Sequence, residues 1–199
     1  MYNRIRNTID SLKGRRAGIS PSVDAFLRIH GDENITQFTI SRTPLSSLLT
    51  GTLGVASPSF RRKTQDTTLY HLQVLIRTSK TSLNLEKNSR ISIGRYNVRQ
   101  GSENIQVSIP SGLTLNTLLD RTRSHMGGLF LPYSARDNNC GHFVLGLLRA
   151  NNLATPANVL FTEQATQNLF TPQLRKITNT IPDVAGGVDR IIQGGDVVG

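Results

Sequence analysis

One cysteine occurs in the chain, Cys140, within "DNNCGHFVLGLLRANNL" at residues 137–153. Asp137, Asn138 and Asn139 are short polar residues of the kind that cap a helix, and Phe143, Val144, Leu147 and Leu148 follow with the spacing of one buried helical face. Cys140 is therefore expected in the first turn of a buried helix. There the unpaired backbone N–H groups and the positive end of the helix dipole favour thiolate over thiol, as a cysteine nucleophile requires. A lone helical cysteine is commonly only a small buried apolar residue, so the nucleophile reading needs a partner.

A thiolate nucleophile works with a histidine, and that histidine with a third group that fixes its ring. The candidates are His30, His71, His125 and His142. His71 lies in "LYHLQVLIRTSKTSLNLEKNSRISI", which reads as two strands around a polar turn at Thr78 to Thr81. A hairpin centred between Ser79 and Lys80 sets His71 opposite Asn88, with Glu86 diagonal on the same face. A two-residue shift would bring Glu86 or Arg90 opposite instead, and both Asn88 and Glu86 can accept a hydrogen bond from an imidazole. His142 follows Cys140 by two residues, about 200° around a helix, and is a poor base for it. His30 falls in an expected loop and His125, beside the pair Gly127 and Gly128, is expected to be exposed, which leaves His71 for the base.

"YHL…LEKN", followed later by "NNCGHFVLGLL", resembles the circularly permuted papain-like fold of the lecithin:retinol acyltransferase family, including the H-Ras-like suppressor phospholipases and their viral relatives. In that group the histidine strand precedes the cysteine helix, which is the order here, and the resemblance covers roughly residues 69 to 153. It implies a cysteine acyl hydrolase or acyltransferase that forms a thioester and takes phospholipid as acyl donor, with Cys140, His71 and Asn88, or Glu86 in place of Asn88, as its catalytic residues. Many cellular members carry a second histidine on the next strand; this chain offers Asn88 or Glu86. The same residue set suits a papain-like cysteine protease, and a catalytically silent capsid or structural module is a third reading.

At 199 residues the chain is long enough to bury a core without disulfides, and one cysteine forms no internal bridge. No cofactor is implied, and one cysteine with scattered histidines makes no closed zinc site. No apolar run reaches membrane-spanning length and no apolar segment follows the N-terminal charges, so a cytoplasmic or virion location is expected. The net charge of +10 calls for an acidic partner: a phospholipid surface, nucleic acid bound non-specifically, or a nucleoprotein particle with its capsid proteins. The basic clusters at Lys13, Arg15, Arg16 and at Arg61, Arg62, Lys63 lack interleaved aromatics and any sequence-reading motif.

The elements that must position the site follow from pattern. Ile5, Ile9 and Leu12 could line a short basic helix. "NITQFTIS", residues 34–41, reads as a strand, and Thr43 and Pro44 as the start of a helix ending at Gly51, before a polar loop over 54–68. "RISIGRYNVRQG" and "ENIQVSIP" add strands, and "TLNTLLDRTRSHM" a helix with Leu115, Leu118 and Leu119 inward and Thr114 as cap. The expected class is α+β: an antiparallel sheet of about four or five strands packed on the cysteine-bearing helix. The expected organisation is a basic N-terminal extension at 1–30, the core domain at 31–155, and a helical then glycine-rich C-terminal extension at 156–199. There "IIQGGD" resembles the cleavage consensus of adenovirus-type maturation proteases, with Gly195–Asp196 as the scissile bond.

Overall fold

In the computed structural model, the residues described are 19–44, 70–134 and 138–164. The N-terminal helix, the helix and loop expected over 45–68, both basic clusters and the Gly195–Asp196 bond lie outside them. Helix α1 (Pro21–His30) opens with Ser20 as N-cap, accepting from the Val23 N–H at 3.3 Å, and with Pro21 in its first turn. It buries Val23 and Leu27 in the core, so part of the stretch expected as an extension packs with the body.

Five strands follow: β1 (Ile35–Pro44), β2 (Tyr70–Thr78), β3 (Ser82–Lys87), β4 (Ile91–Arg95) and β5 (Glu103–Val107). They form one antiparallel sheet in the order β4-β3-β2-β1-β5. Helix α2 (Leu115–Met126) begins at the Thr114 cap and buries Leu115, Leu118 and Leu119. Helix α3 (Cys140–Ala150) carries the cysteine, and α4 (Pro156–Gln164) follows. The fold is α+β. Among the described residues no helix is long and apolar enough to cross a membrane.

Residues 43 and 44 differ from expectation. Thr43 pairs with His71 and Pro44 with Tyr70, so both complete β1 rather than start a helix. Pairing with β2 overrides the local preference of proline for a helix start, and a proline at a strand terminus removes little from the ladder.

The sheet has two unlike faces. Phe38, Ile40, Leu72, Val74, Ile76, Leu83 and Leu85 meet Leu115, Leu118, Phe143 and Leu147 of the helices in one core. On the other face stand Ser41, Gln73, Asn84 and Glu86, all buried. Since β4 and β5 are opposite edges, residues 96–102 must cross this second face to join them. Three contacts fasten the strap they form: Gln73 Nε2 donates to the Asn97 carbonyl at 3.1 Å, Arg99 reaches Glu86, and the Arg77 guanidinium lies 4.8 Å from the Tyr96 ring centre.

Gly31 closes α1, its N–H donating to the Leu27 carbonyl at 2.8 Å, while its own carbonyl accepts from the Asn116 N–H at 2.8 Å. A methyl group there would collide with the Leu27 carbonyl oxygen and the Asn116 side-chain amide. Gly31→Ala is expected to destabilise the protein by about 1–3 kcal/mol, read as a lower midpoint in urea unfolding; an unchanged midpoint contradicts this packing.

Candidate active site

Asn139 sets where α3 begins. Its Oδ1 accepts from the N–H groups of Gly141 at 2.9 Å and His142 at 3.2 Å, and His142 Nδ1 accepts from the Asn139 N–H at 3.4 Å. This reciprocal cap answers the N–H groups of the second and third helical residues. The Cys140 N–H makes no hydrogen bond among the described residues and remains available at the helix terminus. His142, whose side chain forms the cap, is occupied structurally.

The ladder between β2 and β3 runs only to Val74–Leu85, although β2 begins at Tyr70 and β3 ends at Lys87. Cys140 comes up to this open end of the ladder, where the backbone N–H groups of Leu72 and Gly141 favour its charged form. His71, one residue earlier on β2, lies beside the same sulfur, close enough for each group to bias the other's charge. Its Nε2 lies 2.6 Å from Glu86 Oε2, leaving Nδ1 for the thiol. Glu86 in turn accepts from Arg99 Nη2, at 3.0 Å to Oε2 and 3.3 Å to Oε1. The result is one line of contacts, Cys140–His71–Glu86–Arg99, running from the helix start across the sheet end to the strap.

Electrostatics favour an ion pair at the head of this line. Burial opposes charge on every member. For Cys140, burial is outweighed by the neighbouring His71 and by the backbone N–H groups of Leu72 and Gly141, so its pKa falls below 9.0. For His71, burial is outweighed by donation to Cys140 and to Glu86 and by their charges, so its pKa rises from 6.5 to about 9. Glu86 is likewise desolvated, yet His71 and Arg99 pull it from 4.5 to about 2. Each charged form, thiolate and imidazolium, is thus favoured by the other.

Cys140, His71 and Glu86 are thus brought together, and Asn88 is not. Asn88 lies in the turn after β3, where its N–H donates to the Arg90 carbonyl at 3.0 Å. Because the ladder opens before reaching His71 and the chain bends away at 88–90, the position opposite His71 is never formed as a cross-strand pair. The longer Glu86 side chain spans the diagonal. His30 is in a helix, not a loop: it ends α1, with Nδ1 2.7 Å from Glu33 Oε1 and its ring against Phe26. His125 is exposed near the end of α2.

Sequence reasoning overlooked three residues near the site. Arg99 lies in a polar connection, and only the strap's crossing brings it over Glu86. Lys87 is 0% exposed on the helix-facing side, donating to the Leu129 carbonyl at 2.9 Å and to Asn138 Oδ1 at 3.3 Å; burial lowers its pKa to about 8. Asn138 Nδ2 also donates to the carbonyls of Leu129 and Pro132, both at 2.6 Å, which shapes the loop leading to Cys140. Tyr133, on that loop, is half-buried; desolvation, then the Cys140 charge, raises its pKa above 10.0. The "LEKN" motif signals Glu86 and Lys87 by strand alternation, one to each face; Arg99 and Tyr133 have no comparable local signal.

Two outcomes follow from this geometry. Iodoacetamide alkylation of Cys140 at neutral pH should slow roughly tenfold in Glu86→Gln, about one pKa unit of lost thiolate bias, and stay within about twofold of wild type in Asn88→Ala. The reverse order of sensitivities would restore Asn88. For stability, the His71 contribution is complete below its ordinary 6.5 and lost as pH rises through about 9; that of Glu86 is complete above 4.5 and lost as pH falls through about 2. The excess stability of wild type over Glu86→Gln in urea should therefore be greatest between pH 4.5 and 6.5 and decline through pH 9, whereas a constant difference across that range contradicts the assignment.

Comparison of the chain with protein-family models, with curated proteins and with solved structures finds no match in any of the three.

Proposed function

We propose that the protein is a cysteine acyl hydrolase or acyltransferase that works through a thioester on Cys140. The observation that carries the reading is His71 held between the Cys140 sulfur and the Glu86 carboxylate, with Arg99 behind the carboxylate. In the first step the thiolate attacks a carbonyl carbon, and the electron pair of the C=O bond moves to oxygen beside the free Cys140 N–H. Collapse expels the leaving alkoxide, which takes the proton from the His71 imidazolium. The imidazole then removes a proton from water or an acceptor alcohol or amine, which attacks the thioester and regenerates the Cys140 thiolate. Glu86 holds the ring by Nε2 throughout and stabilises its charged form.

Phospholipid is the proposed acyl donor. Its support is the resemblance of the YHL…LEKN and NNCGHF segments to the lecithin:retinol acyltransferase family, together with a net charge of +10 that favours anionic lipid surfaces. Membrane breach by a non-enveloped virus is the biological setting suggested by the viral branch of that resemblance and by the IIQGGD segment.

Intact-mass measurement after incubation with phosphatidylcholine vesicles tests the reading. Wild type should gain one fatty-acyl mass and release lysophospholipid, and Cys140→Ala should do neither. Lysophospholipid release that persists in Cys140→Ala overturns the thioester mechanism. Cysteine-dependent cleavage of peptides with no lipid product moves the assignment to a cysteine peptidase.

A further inference from the structure

We propose that the Tyr133 phenol is the second oxyanion donor of this site, completing with the Cys140 N–H a hole for the tetrahedral intermediate. The inference deepens the acyl-transfer reading and rests on it. That chemistry needs more than one donor where the carbonyl oxygen becomes negative, and at the start of α3 the cap leaves only the Cys140 N–H.

The backbone around Tyr133 is fastened on both sides to a residue two before the nucleophile. The Pro132 carbonyl accepts from Asn138 Nδ2 at 2.6 Å. Ser134 and Asn138 exchange both backbone hydrogen bonds, Ser134 N–H to the Asn138 carbonyl at 3.1 Å and Asn138 N–H to the Ser134 carbonyl at 2.9 Å. Beneath them the buried Lys87 ammonium donates to Asn138 Oδ1 at 3.3 Å and to the Leu129 carbonyl at 2.9 Å. Tyr133 is thereby held beside the N-terminus of α3.

Its ring is half-buried and within electrostatic reach of the Cys140 sulfur, and among the described residues its hydroxyl makes no hydrogen bond. A phenol placed so, with an uncommitted O–H, suits charge that develops only during reaction. Burial and the neighbouring sulfur keep the phenol protonated, as a donor must be. When the thiolate adds to the carbonyl carbon and the C=O pair moves to oxygen, Tyr133 O–H and Cys140 N–H both donate to that oxygen. The Tyr133 proton stays on the phenol, and the bonds are released when the carbonyl re-forms.

Tyr133→Phe separates this role from a structural one, because alkylation of a thiolate develops no oxyanion whereas acylation does. In the full chain, the burst of Cys140 acylation by para-nitrophenyl butyrate should fall roughly 100-fold in Tyr133→Phe. Its iodoacetamide alkylation rate and thermal midpoint should match wild type. An unchanged acylation burst overturns the proposal. So does a parallel loss of alkylation and acylation, which would mean that Tyr133 acts on the thiol itself. Wild-type protein that alkylates at Cys140 but never acylates removes the acyl-transfer reading and this inference together, an outcome distinct from failure in the variant alone.

Discussion

The site depends on a carboxylate that the fold has taken out of water. Glu86 is 6% exposed, on the sheet face opposite the helices, and an isolated charge there would cost several kcal/mol. His71 and Arg99 both donate to it, from β2 and from the strap. Each constraint on the chain serves this meeting. The β4-to-β5 connection must cross the sheet to deliver Arg99, and the ladder ends at Val74–Leu85, beyond which Cys140 and His71 lie side by side. Remove the carboxylate and the imidazolium loses its buried counter-charge, leaving the thiolate as the only group that favours it.

The neighbouring residue handles burial differently. Lys87 points to the helix side, where its partners are a carbonyl and an amide oxygen rather than a carboxylate. Its ammonium is therefore held by neutral dipoles, and desolvation lowers its pKa. Two adjacent residues of one strand thus organise the two halves of the site. Glu86 holds His71, and Lys87 with Asn138 holds the loop that carries Tyr133 and leads to Cys140.

Much of this was legible in the sequence because it is local. The polar triplet before Cys140, the Thr114 cap with its leucine face, and the alternation of Leu72, Val74 and Ile76 against His71 and Gln73 each specify an element by its own periodicity. The hairpin register also placed Glu86 on the His71 face. What alternation could not supply was the end of the ladder: the choice between Asn88 and Glu86 turns on where β2 and β3 part, which is a tertiary event. Arg99 was hidden for the same reason, since a connection's path over a sheet follows from strand order. At Thr43 and Pro44, pairing with β2 overrode a sound local signal for a helix start.

The central claim is that Cys140 and His71 share one proton as a buried ion pair supported by Glu86. Ultraviolet absorbance of the thiolate, recorded against pH as the difference between wild type and Cys140→Ser, measures this directly. The account predicts a thiolate signal already present below pH 9, with its disappearance on acidification coupled to titration of the His71 ring. A thiolate that appears only as the pH passes 9, the ordinary value for a cysteine, would contradict it.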